Sequence, residues 1–232
     1  MVHLFGGFVN KLNQQGLASS NEIAQIYEIL SQTYPTFENT DDPWMTNGLS
    51  STPFKSLVSV CLSTMTITKR VVNACVPLYQ RVSNFEELLA LDDEELRQII
   101  KPVAHYNRKT VNLKLMARQI IELHNGNIPE TREELMKLQG VGRKVTDIML
   151  NFVFSKDTIA VDTHVLRVLN RLKIIATDSA EDAAVKINLI TPTFYKKHAH
   201  EWLIQHGMKV CTARKPKCSE CCVNQFCSQF DS

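Results

Sequence analysis

Five of the seven cysteines in this 232-residue chain fall in its last 22 residues, and four of them follow the spacing Cys211-x6-Cys218-x2-Cys221-x5-Cys227. Four thiolates within 17 residues can encircle one metal centre, so this end of the chain is expected to fold as a loop around a ligand. An all-cysteine set of four fits either tetrahedral zinc or a [4Fe–4S] cluster. Zinc modules more often pair two C-x2-C arms across a longer spacer, so the lopsided spacing favours iron–sulfur. Cys61 and Cys75 stand apart in apolar surroundings, where a free thiol acts as a small hydrophobe.

The rest of the chain must supply the body on which such a loop rests. With 44% apolar and 22% charged residues it has the composition of an ordinary globular protein, not of a disordered, collagen-like or disulfide-stapled one. No run approaches the roughly 18 apolar residues of a spanning helix, and the N-terminus lacks a basic and apolar signal pattern. Insertion in a membrane and classical secretion are therefore not expected.

Helical periodicity dominates. Ile23, Ile26, Tyr27 and Leu30 keep helical phase after Ser19-Ser20, and Thr52-Pro53 reads as a cap and first turn for a helix through Leu62. Ser83 to Glu86 and Thr131 to Glu134 read as capping boxes. Further helices are expected over about 107–123, 142–154, 162–172, 179–190 and 196–208. No run alternates with period two, which predicts an all-α fold. Residues 36–50 (TFENTDDPWMTNGLS) are polar and turn-rich and mark a linker; a second change falls at 155–158.

Two segments carry chemistry. In Leu138-Gln139-Gly140-Val141-Gly142-Arg143-Lys144, two glycines one residue apart separate two helices. Glycine allows a tight hairpin, and the next helix start offers unpaired N–H groups to an anion, a helix-hairpin-helix reading. Lys144 lies in that first turn, where the positive end of the helix dipole favours the neutral amine a nucleophile requires. In Ala160-Val161-Asp162-Thr163-His164, Asp162 is an N-cap candidate. A carboxylate held at a helix start is also suited to steadying positive charge on a sugar.

The net charge of +2 names no partner, but its distribution is polar: six acids and one base over 85–100, six bases and one acid over 196–217. Such asymmetry suits a protein that turns one face to phosphates.

Together LQGVGRK, AVDTHVLRV and the cysteine loop in HGMKVCTARKPKCSECCVNQFC resemble the endonuclease III family of helix-hairpin-helix DNA glycosylases. The likeness runs from about Thr52 to Cys227 and includes HNGNIPETREEL before the hairpin. It implies a base-excision repair enzyme that flips a damaged base from duplex DNA, cleaves its glycosidic bond and nicks the abasic site by β-elimination. It also implies a six-helix barrel over 46–156, an iron–sulfur domain built from 1–45 with 157–232, and an active site in the cleft between them. On this resemblance Lys144 is the catalytic lysine and Asp162 the catalytic aspartate. Gly140, Val141, Gly142 and Arg143 contact a DNA phosphate. Cys211, Cys218, Cys221 and Cys227 hold a [4Fe–4S] cluster, with Cys222 outside the ligand set, and Arg214, Lys215 and Lys217 press on the DNA backbone. A cytoplasmic, nucleoid-associated monomer, bacterial or archaeal, is the matching expectation.

The chain departs from the family at Met65, where relatives carry glutamine, at Thr68, where they carry aspartate, and at His105, where they carry an aliphatic wedge. Met65 and His105 are expected to enter the DNA, and their change implies a shifted lesion range or opposite-base preference. The expected substrate is an oxidised pyrimidine; the alternatives are an alkylated purine or mismatched thymine on the same fold, or a non-catalytic iron–sulfur DNA-binding protein.

Overall fold

Helix starts in this chain are set by short polar side chains. Ser19 caps α1 (Ser20–Thr33) with a reciprocal box: its hydroxyl accepts the Glu22 N–H at 3.3 Å, and the Glu22 carboxylate accepts the Ser19 N–H at 2.7 Å. Asp42 caps the single turn α2 (Pro43–Thr46), and Thr52, followed by proline, caps α3 (Pro53–Ser63). Next come α4 (Thr68–Arg81), α5 (Phe85–Ala90), α6 (Asp93–Ile100), α7 (Tyr106–His124) and the short α8 (Arg132–Leu135). Then α9 (Arg143–Ile148) runs into a π turn, Met149–Val153, and is followed by α10 (Thr163–Arg171), α11 (Ala180–Ile190) and α12 (Thr193–Lys209). This computed structural model describes residues 16–227 and 229, and among them there is no strand.

The box expected at Ser83–Glu86 is shifted by one residue. Asn84 is the cap, accepting the Glu87 N–H at 2.7 Å, while the Glu87 carboxylate accepts the N–H and O–H of Ser83. The phase follows from burial: Phe85 and Leu88, three apart, must both face the core. The acidic run is likewise local chemistry at helix starts. Asp92 accepts the Glu94 and Glu95 N–H groups, where the helix dipole favours negative charge, and Glu95 pairs with Arg81 and Asp93 with Lys114.

The chain divides into two units, one formed by described residues through Thr36 with those from Asp157 on, the other by Phe37–Lys156. Residues 37–45, which the sequence reading joined to the first unit, belong to the second. The cause is aromatic: Trp44 packs on that unit's core and donates its indole N–H to Ser50 at 2.6 Å, and Phe37 stacks on Phe152. Six helices of six residues or more build this second unit around Leu57, Leu62, Leu78, Leu96, Ile100 and Met116, all fully buried or within 2% of it. The first unit packs α1, α10, α11 and α12 around Ile26, Leu30, Val165, Leu169, Ile187 and Leu203. There α12 crosses α10 closely at Gly207, where a Cβ would come within 3.1 Å of the His164 carbonyl. Gly207→Ala would require this contact to give by a few tenths of an ångström.

Five exposed non-glycine residues among those described lie in the left-handed region: Met65 at φ 55°, His105 at φ 57°, Asn125, Ser155 and Lys173. Each such residue costs about 1–2 kcal/mol and persists only where its surroundings over-determine it. Among the described residues no helix is long and apolar enough to cross a membrane.

Candidate functional site

The hairpin between α8 and α9 is a turn stapled from α7. Gly140 has φ 80°, and a Cβ there would lie 3.0 Å from the Asn112 side chain, so both conformation and space require glycine. Gln119 accepts the Gln139 N–H at 2.7 Å, and the Gln139 amide donates to Asn112 at 3.2 Å. Val141 differs from expectation: its side chain is buried and its N–H is used inside the turn, bonding Leu138 O at 3.1 Å. It therefore shapes the hairpin and offers no amide to a phosphate. Gly142 is the N-cap of α9, exposed and extended, with open space where a Cβ would sit.

Two arginines converge on a buried carboxylate behind this turn. Asp147 is 0% exposed; Arg143 Nε donates to it at 2.9 Å and Arg132 pairs with its other oxygen. Arg143, expected as a DNA contact, thus has an internal partner four residues on. Lys144, the second residue of α9, is half-buried.

In the other unit the segment before α10 is held from two sides. Asn188 accepts the Ile159 N–H at 2.8 Å and donates to the Ile159 carbonyl at 3.0 Å, while His200 Nδ1 lies 2.9 Å from Ala160 O. A carbonyl only accepts, so His200 carries its proton on Nδ1. Asp162 then caps α10, one carboxylate oxygen accepting the His164 and Val165 N–H groups at 2.8 and 2.9 Å. Asn188, His200 and Asp147 were missed in the sequence. Only Asp147 left a trace, as an acid within an apolar helical run with an arginine four residues before it.

The cysteine loop rests on the C-terminal ends of α10 and α12. Arg167 donates to the carbonyls of Cys211 and Gly207 at 2.9 and 2.7 Å; Arg171 donates to Thr212 O at 2.8 Å and reaches Cys211 Sγ at 3.3 Å. Cys227 Sγ approaches Arg171 O at 3.5 Å, and Cys221 Sγ lies 3.7 Å from His206 Nε2. Burial pulls the His206 imidazole down to about 4, so it is neutral at pH 7, and its Nδ1 is 2.9 Å from the Tyr34 hydroxyl. Cys211, Cys221, Cys222 and Cys227 all pack against the unit's core, and all five loop cysteines are free thiols. Among the described residues no three His, Cys, Asp or Glu side chains are drawn together at metal-holding distance. The donors nonetheless suit iron: soft thiols on one loop, one of them 3.7 Å from His206 Nε2. Arg214, Lys215 and Lys217 are exposed, Lys217 in a 3.4 Å surface pair with Glu220.

Met65 is 80% exposed, and His105 is also exposed. Thr68 opens α4, and Ile67 stands at its N-cap with no side-chain cap and is 68% exposed.

Comparison with known proteins agrees with this geometry. Residues 58–192 match the HhH-GPD superfamily of base excision DNA repair proteins, and residues 211–227 match the iron–sulfur binding domain of endonuclease III. The chain is 38% identical to endonuclease III of Haemophilus influenzae over 76% of its length and 84% of that protein's. It is 37% identical to endonuclease III of Escherichia coli K12 over 82% and 90%. The structure of a trapped endonuclease III–DNA covalent intermediate, an estranged-adenine complex, superposes with TM-score 0.84 at 27% identity, covering 93% of this chain and 98% of that one. The loop at 211–227 accordingly binds a [4Fe–4S] cluster. The chain belongs to the endonuclease III family and is a base excision repair DNA glycosylase and abasic-site lyase.

Proposed function

We propose that this enzyme removes oxidised pyrimidines from duplex DNA with Lys144 as nucleophile and Asp162 as the supporting carboxylate. The observation that carries the reading is the position of Lys144: half-buried, second in the helix launched by a hairpin whose first glycine is sterically obligatory. The Lys144 amine attacks the sugar C1′ as the bond from C1′ to the base breaks, and a proton shed by Nζ neutralises the departing base. Ring opening leaves a protonated imine between Nζ and C1′, which acidifies the C2′ proton. Its removal expels the 3′ phosphate by cleavage of the C3′–O bond, and water then hydrolyses the imine to free Lys144. Asp162 stabilises positive charge developing on the sugar, and its rigid cap geometry keeps reorganisation small. A base must leave the stack to react, and Met65 and His105 are the exposed side chains suited to fill the gap. The N–H groups at the start of α9, with the open space at Gly142, would take a phosphate. Arg214, Lys215 and Lys217 would add backbone contacts, while Arg143 acts from inside through Asp147. The enzyme would work as a monomer on nucleoid DNA in the cytoplasm.

The related trapped complex is a covalent one, which motivates the decisive experiment. Borohydride trapping should yield adducts on duplexes with thymine glycol or 5,6-dihydrouracil. Adducts confined to a pre-formed abasic site would instead call for another base, and none at all would remove Lys144 as nucleophile.

Two further outcomes separate roles within the site. Asp162→Asn keeps an N-cap acceptor and should leave stability within a few tenths of a kcal/mol, whereas Asp162→Ala loses about 1 kcal/mol. Both should lose excision by on the order of 10²-fold or more, read as single-turnover rates beside urea melts. For the cluster, Cys211, Cys218, Cys221 and Cys227 are the proposed ligands. Cys222→Ser should retain the iron and visible absorption of the parent, while Cys218→Ser should lose both; iron loss from Cys222→Ser would reassign the ligands.

A further inference from the structure

We propose that Lys109 is a positioning residue that holds the Met65 and His105 turns in register, so that two separate segments enter DNA as one rigid wedge. The inference rests on the reading of Met65 and His105 as wedges. Lys109 is the fourth residue of α7 and only 8% exposed. Its ammonium reaches Leu62 O at 2.8 Å, Thr64 O at 2.7 Å and the Thr66 hydroxyl at 3.4 Å. An ammonium has three N–H donors, and three acceptors surround it. Two are carbonyls at the C-terminal end of α3, where the helix dipole favours a cation.

The grip falls on both sides of Met65. Thr64 and Thr66 are held, and the residue between them is left-handed with its side chain in solvent. Thr66 carries the link onward: its hydroxyl donates to Thr64 O at 3.2 Å and accepts the Ala104 N–H at 3.0 Å. Ala104 immediately precedes His105, which is also left-handed. One buried ammonium therefore reaches one strained turn directly and the other through a single hydroxyl.

Stability alone is a poor reason for this arrangement. The Leu62 carbonyl ends a largely buried helix and needs a donor, but Thr64 is half-exposed, where water could serve, and burying an ammonium opposes its charge; here burial lowers the Lys109 amine to about 8. A buried cation spent on a solvent-facing loop is explicable when the loop's conformation has a task. A cavity of ≈ 170 Å³ lined by Thr64, Arg108, Lys109, Asn112, Gln139 and Gly140 sets the clamp beside the phosphate-binding hairpin.

A double-mutant cycle tests this. Lys109→Met keeps the aliphatic stem and removes the donors. It should slow single-turnover excision about 10- to 100-fold, the scale of a 1 Å misplacement. It should also suppress the fluorescence rise of 2-aminopurine as the estranged base, while binding to undamaged duplex at fixed salt stays within about 2-fold. In the Met65→Ala/His105→Ala background, the same substitution should cost less than about 3-fold. An equal loss in both backgrounds would make Lys109 merely structural and overturn the proposal. A doubly substituted enzyme that excises as fast as the parent would instead remove the wedge reading itself. Should Lys109→Met fail to fold, Thr66→Val leaves the ammonium in place and cuts the link to Ala104; it must show the same non-additivity with His105→Ala, and additivity there would overturn the proposal.

Discussion

Lys144→Ala is expected to abolish borohydride trapping entirely and to reduce base excision by on the order of 10³- to 10⁶-fold, the range seen when a covalent nucleophile is removed. Binding to duplex DNA should fall by less than about 10-fold, since the hairpin and the exposed basic residues of the cysteine loop survive. Lys144 lies on the surface side of a helix whose buried residues are Val145, Thr146 and Asp147, so its removal leaves the core intact. The melting curve should therefore overlay that of the parent. Gel mobility, trapping yield and thermal melts together check this. A variant that still traps on abasic DNA would move the nucleophile elsewhere.

Asp147→Ala should be the most destabilising single substitution near the hairpin, at about 3–5 kcal/mol. The carboxylate is fully buried and receives two guanidiniums, whose side chains are only 28% and 19% exposed. Its loss leaves two partly buried guanidiniums side by side without the carboxylate that joins them. Asp147→Asn keeps the shape and one acceptor and should lose roughly half as much. At about 2–4 °C per kcal/mol for a chain of this size, the alanine variant should melt on the order of 10 °C lower. Raised salt should not rescue it, because buried pairs are little screened. An alanine variant within 2 °C of the parent would show that the two arginines find other partners.

What the sequence revealed and what it hid divide along contact distance. The hairpin, the Asp162 cap and the cysteine loop are local: each is written in fewer than 20 consecutive residues, and glycine, an acidic cap and paired thiols have few other uses at such spacings. The residues that hold these parts came from far along the chain. Asn188 grips Ile159 across 29 positions, and Lys109 reaches Leu62 across 47. No period or motif announces a lysine that turns inward. The one-residue shift at Ser83–Asn84 had a different cause, since two adjacent cap candidates were equivalent until Phe85 and Leu88 had to share a core. Val141 was misread because its backbone resembles its neighbours' in sequence while its amide is already committed within the turn.

The left-handed backbone at Met65 and His105 also bears on how this protein would respond to selection. A glycine at either position relieves the steric penalty of that conformation, set against glycine's greater freedom in the unfolded chain. Breeding the enzyme for heat tolerance alone would therefore favour erasing both side chains, because both are exposed and, in the role proposed for them, serve DNA and not the fold. Breeding it for repair would keep them. Positions 65 and 105 are thus where durability and purpose pull in opposite directions, and a library scored for both would split there first.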